Sequence, residues 1–169
     1  MKILLTNQVM GDNTGTDTCT RTIAKYLVRA RHNVYLWAPH YVGSLEFHKA
    51  TGAVFVPNLE HLARLPLDIG HIHHTPCLMT VRKLRPDLPL LFLSHGVIPP
   101  EEVPPAGRCN LGRVLCVSWE VIGWLEQMGI QKKLLHQWSY PIDPDIFQAD
   151  DPPPLATEAS TGAQRAHQT

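Results

Sequence analysis

Neither sign of charge is in excess in these 169 residues: Lys plus Arg number 15, and so do Asp plus Glu. No dense Lys/Arg cluster appears either, so the electrostatic footprint of a nucleic-acid binder is missing. Long apolar runs are missing too. Runs such as Leu90 to Leu93 cannot span a bilayer, and Ile3-Leu4-Leu5 falls far short of a signal peptide's apolar core. Cysteine is scarce and scattered. Cys19, Cys77, Cys109 and Cys116 form no CxxC pair, which argues against a zinc ribbon or a disulfide scaffold. The expectation is a soluble cytoplasmic protein with reduced thiols, free to rest on a membrane surface.

Several catalytic signatures are absent as well. The loop after the first apolar run, "NQVMGDNTGT", is neither GxGxxG nor a P-loop, and no GxSxG elbow occurs. "HIHHTP" fails the HxHxDH metal pattern because Thr75 stands where an aspartate is needed. A zinc site using His71 and His73 would require distant ligands.

What is present is an alternation of short apolar runs and helical periodicities. Apolar residues make up 44% of the chain and charged residues 18%, as in ordinary globular domains. Strands are expected at 2–6, 33–38, 53–56, 68–74, 88–94, 112–118 and within 133–138. Between them come a helix over 17–31 capped by Asp17 or Thr18, one over 76–85 stopped by Pro86, and one from Ser118 to Gly129. This predicts an α/β fold: a Rossmann-like open, mainly parallel sheet with helices on both faces. Residues 1–149 form the domain. Residues 150–169, with three consecutive prolines and then small polar residues, read as a disordered tail or linker.

In such sheets ligands bind beyond the carboxyl ends of the strands. Four polar loops lie there: 7–16, 73–76, 94–100 and 118–120. Gly11 and Gly15 would let backbone approach an anion at a helix N-terminus, while Asp12 and Asp17 argue against a bare phosphate. The other reading is a plain strand-to-helix connection. Alternation puts His71 and His73 on one face of their strand and His74 on the other. His71 reads as a packed core histidine. His95 stands where a buried strand opens into a loop, with Gly96 allowing a tight turn, and an imidazole there can take a proton from a hydroxyl near neutral pH.

Taken in order, these segments resemble the N-terminal domain of family 4 glycosyltransferases of the GT-B architecture. "MKILLTN" with "TGTDT", "RHNV" at 31–34, "PLDIGHIHH", "LPLLFLSHG", "RVLCVSWEVIGWLEQMGI" and "YPIDPDIF" stand in that family's order from Met1 to about Phe147. The resemblance implies half of a two-domain enzyme: an acceptor-binding domain, with the donor-binding domain beyond the end of this chain. It implies a metal-independent transfer with no cofactor other than the nucleotide-sugar donor, onto a sugar or lipid-linked acceptor. It assigns His95 as base or orienting group, and Gly15, Thr16, His73, His74, Gly96, Ser118 and Glu120 to substrate. Trp119 displaces Glu120 by one position from the family's acidic residue, and Tyr140-Pro141 replace its Asn-Gly turn. Proline fixes φ where glycine leaves it free, so the hinge there must differ. A stand-alone, non-catalytic module that binds a glycan or a partner is the alternative.

Overall fold

The computed structural model describes residues 1–98, 100–105 and 111–147. Cys109 and the tail at 150–169 lie outside the described residues. The sheet is built from β1 (Lys2–Thr6), β3 (Asn33–Trp37), β5 (Val54–Phe55), β6 (Ile69–His73), β7 (Leu90–Ser94), β8 (Leu111–Cys116) and β9 (Leu135–Gln137), in the order β5-β3-β1-β6-β7-β8-β9. Every pairing is parallel. The expected open α/β sheet is therefore the fold observed.

Helices cover both faces, as the strand patterns require. Ile3, Leu5 and Val34 pack with Ala24 of α1 (Gly15–Arg29). On the opposite face Leu4, Ile72, Phe92 and Val114 pack with Leu62 of α3 (Leu59–Arg64), Leu78 and Val81 of α4 (Thr75–Leu84), and Leu125 of α5 (Trp119–Gln127). Alternate residues of β1 thus serve opposite cores. Strand order reverses between β1 and β6, whose register sets Leu5 beside His71.

Three details differ from the sequence expectation. A short parallel pair, β2 (Val9–Met10) with β4 (His40–Tyr41), and a four-residue helix α2 (Glu46–Lys49) carry no periodicity long enough to read. The helix α3 was equally silent. Helix α1 begins earlier than expected: Thr14 is its N-cap and accepts from Asp17 N, so Gly15 and Thr16 belong to its first turn. Neither Asp17 nor Thr18 caps it.

Asp17 is turned inward instead, and it organises the first loop. Its carboxylate, fully buried, accepts from Gly11 N at 3.3 Å, Asn13 N at 3.2 Å and His48 Nε2 of α2 at 2.7 Å. Burial alone would raise its pKa, but the His48 contact and the two amides hold it below the usual carboxylate value. Gly11 has φ +95°, and a Cβ there would meet Val42 O at 1.9 Å. Gly11 is a packing glycine, with its N–H already spent on Asp17.

Removing this carboxylate leaves two amides and one imidazole N–H without a buried acceptor. Asp17→Ala is expected to lower stability by about 3 kcal/mol or more, read as a drop in the urea midpoint. A midpoint within error of the parent would show that the loop does not depend on it.

Candidate active site

The carboxyl ends of β1, β6, β7 and β8 place four loops along one edge of the sheet, at and beside its switch point. Here four histidines meet. His71 and His73 share a face of β6, with ring centroids 5.0 Å apart. His74 follows the strand with φ +68°, in a region costly for a residue with a Cβ. That turn carries it back to the group instead of leaving it on the opposite face: its ring stacks on His95 at 5.6 Å, and His73 meets His95 edge-on at 4.8 Å.

The hydrogen bonds form a chain. Thr20 of α1 donates its hydroxyl to Thr16 O at 2.9 Å. His73 Nδ1 lies 3.1 Å from Thr20 Oγ1 and 3.2 Å from His95 Nε2, and His95 Nδ1 lies 2.7 Å from Tyr140 Oη. His73 Nε2 is buried with no partner. A proton on that nitrogen would be an orphaned buried donor, so the network assigns the proton to Nδ1. His73 Nδ1–H then donates to Thr20 and His95, and His95 Nδ1–H donates to Tyr140. Both His95 nitrogens are occupied, and the outward end of the chain is the Tyr140 hydroxyl.

Glu102 anchors the group from below. Its Oε2 accepts from His95 N at 2.6 Å, its Oε1 lies 3.6 Å from His74 Nε2, and its carbonyl accepts from Ser94 Oγ at 3.0 Å. Burial lifts the Glu102 carboxyl to about 7, against the lowering effect of the His95 amide. The imidazoles move the other way. Burial pushes His95 down to about 3 and His71 to about 4, and it lowers His73 and His74 as well. His95 is therefore neutral and weakly basic here. The expectation of an imidazole titrating near neutrality is overturned by desolvation.

The remaining predicted residues sit around this group in different ways. Thr16 and His74 line a cavity of about 270 Å³ above the switch point, with Asn7, Asp12 and Glu101. Gly15 and Gly96 have ordinary φ values and open space where a Cβ would stand, so the fold does not require glycine at either. Gly96 is thus not needed for a tight turn. Ser118 spends its oxygen capping α5, accepting from Val121 N, and Glu120 is exposed in that helix's first turn. Both lie beyond the end of β8, outside the histidine contacts. Among the described residues, no three His, Cys, Asp or Glu side chains are placed to hold a metal ion.

Sequence reasoning missed Glu102, Thr20 and Tyr140. Tyr140 was visible only as a departure from the family's Asn-Gly. It is delivered by a strap: Trp138 N donates to Cys116 O, and Asp143 is held by Lys25 Nζ at 2.7 Å and Tyr26 Oη at 3.1 Å.

Two outcomes follow from this geometry. Tyr140→Phe removes the acceptor for His95 Nδ1–H, so nitrogen NMR shifts of His95 are expected to leave the single Nδ1–H tautomer. Unchanged shifts would refute the assigned chain. For stability, histidines depressed below their ordinary 6.5 contribute above that pH and lose the contribution as pH falls toward 4 and 3. Glu102, raised from 4.5 to about 7, contributes at low pH and loses it as pH rises through 7. The urea midpoint is expected to fall from pH 6.5 to 4.5, and Glu102→Gln to steepen that fall, because the opposing gain from Glu102 between pH 7 and 4.5 is removed.

No protein-family model matches this sequence, and no curated protein matches it. Solved structures do. Those of Anabaena Alr3699/HepE in complex with UDP-glucose, with UDP and glucose, and with UDP superpose with TM-scores of 0.64, 0.61 and 0.60 at 18%, 19% and 18% identity. The match covers 86% of this chain and 45% or 46% of each of those chains, so this chain spans less than half their length. The open α/β fold of this chain is the fold of that part of HepE.

Proposed function

We propose that this chain is the acceptor-binding domain of a nucleotide-sugar-dependent, GT-B family 4-like glycosyltransferase, working with a donor-binding domain that is not among these residues. The observation that carries this reading is the constellation at the switch point: His73, His74 and His95 joined at the edge where the first turn of α1 presents Gly15 and Thr16. A fold shared with structures that hold UDP and UDP-glucose supports it. So does the span of the match, less than half of those chains.

In this reading an acceptor hydroxyl attacks the anomeric carbon of the donor sugar as the bond to the diphosphate breaks. An imidazole held at about 3 is a weak base, so His95 orients the hydroxyl by hydrogen bonding. The proton passes to the departing diphosphate, a stronger base. The donor-side domain stabilises the charge that develops on that group. Amides at the start of α1, which lack intrahelical partners, face the same edge. Tyr140 covers His95 and must be displaced before an acceptor can reach it.

That covering contact is also what favours the second reading, a non-catalytic glycan- or partner-binding module. The two part in one experiment. The chain alone is expected to transfer no sugar from a nucleotide-sugar. Adding a donor-binding domain in trans is expected to restore transfer, and His95→Ala to lower kcat about 10- to 100-fold with a smaller change in KM. Turnover by the isolated chain, or full activity of His95→Ala, would overturn the assignment. Acceptor binding with no transfer under any pairing would favour the module.

A further inference from the structure

The cavity above the switch point carries information about charge that the histidine cluster does not. Asn7 is almost wholly buried at 1% exposure, and its Oδ1 accepts from Gln8 N, yet its Nδ2 has no partner. His74, 7% exposed, likewise has an unpartnered Nδ1. Both residues line the same cavity of about 270 Å³. Buried polar atoms left open in this way mark places where a ligand completes the hydrogen bonding.

The other polar groups there are acceptors. Asp12 uses Oδ1 for the amide and hydroxyl of Thr14, leaving Oδ2, and the Glu101 side chain is exposed at the rim. Among the described residues, no Lys or Arg lines the cavity. The wall therefore presents two carboxylates against the partial positive charge of the α1 N-terminus, roughly half an elementary charge. The balance is negative. The Asn7 amide donor and the open His74 Nδ1, an acceptor because its proton faces Glu102 from Nε2, set beside the carboxylates match a ring whose hydroxyls both donate and accept. The volume lies just under the ~300–1,000 Å³ of pockets for drug-sized ligands, room for one sugar unit.

We infer that this cavity is a subsite for one neutral or amine-bearing sugar unit, and that Asp12 and Glu101 make it reject phosphorylated and carboxylated sugars. This rests on the acceptor-binding reading above and narrows it to a charge class. The amide of Asn7 holds a ring or hydroxyl oxygen, and the His74 Nδ1 accepts a hydroxyl proton. The two carboxylates take hydroxyl or ammonium protons.

The test is ligand-observed NMR on the full chain with nine probes: the methyl hexoside, hexosamine and hexose 6-phosphate of gluco, galacto and manno configuration. At least one configuration is expected to bind as hexoside or hexosamine at least tenfold more tightly than its phosphate. The exposed-site double variant Asp12→Asn/Glu101→Gln is expected to erase that preference while leaving the urea midpoint unchanged. Phosphates that bind as well or better, or a preference that survives the double variant, would overturn the charge assignment and leave acceptor binding standing. If none of the nine binds, the sugar subsite falls, and the acceptor-binding reading is decided by the transfer experiment with the donor-binding domain.

Discussion

The reversal of strand order between β1 and β6 is the constraint on which the site depends. To the β3 side of that line the first crossover puts α1 on one face, and to the other side α3, α4 and α5 cover the opposite face. The two loops that leave β1 and β6 must therefore diverge, and the gap between them cannot be filled by a helix. Polar residues collect there: Asn7, Thr16, His73 and His74. The same residues elsewhere on the sheet would be covered by a helix.

Within that gap, burial decides protonation. Among the described residues, no Lys or Arg contacts this group, and burial favours the neutral form of each member: it lowers the four imidazoles and raises the Glu102 carboxyl to about 7. Such a group orients partners through hydrogen bonds and adds little net field. The charged part of the neighbourhood is displaced to its rim, at Asp12 and Glu101. Positioning and charge selection are thus handled by different residues. The strained backbone at His74 fits this division: with φ +68° its ring stacks on His95 and lines the cavity.

The sheet was legible because buried parallel strands are short apolar runs, and 2–6, 33–38 and 88–94 could hardly be anything else. Helix periodicity gave α4 and α5 nearly to the residue, with Ser118 as cap. The start of α1 was misjudged because Asp17 has the chemistry of a cap but serves a buried histidine 31 positions away. Spacing along the chain cannot show such a pairing. His95 stood out from its place at a strand end and the family resemblance drew in His73 and His74, whereas Thr20, Glu102 and Tyr140 reach the group through tertiary approach. Glu102 is one of two adjacent glutamates, and nothing local says which one turns inward. The acid–base character of His95 was likewise invisible, since it depends on how deeply neighbouring loops bury the ring.

The strap from Trp138 to Phe147 joins two kinds of bond. Tyr140 meets a neutral imidazole and Asp143 is buried against Lys25, while the exposed Asp145 meets Lys25 and Arg29 through ion pairs at the surface of α1. Salt weakens the second kind far more than the first. Rising ionic strength therefore acts on the exposed Asp145 end of the strap, while the buried Asp143, held also by Tyr26, keeps Tyr140 over His95.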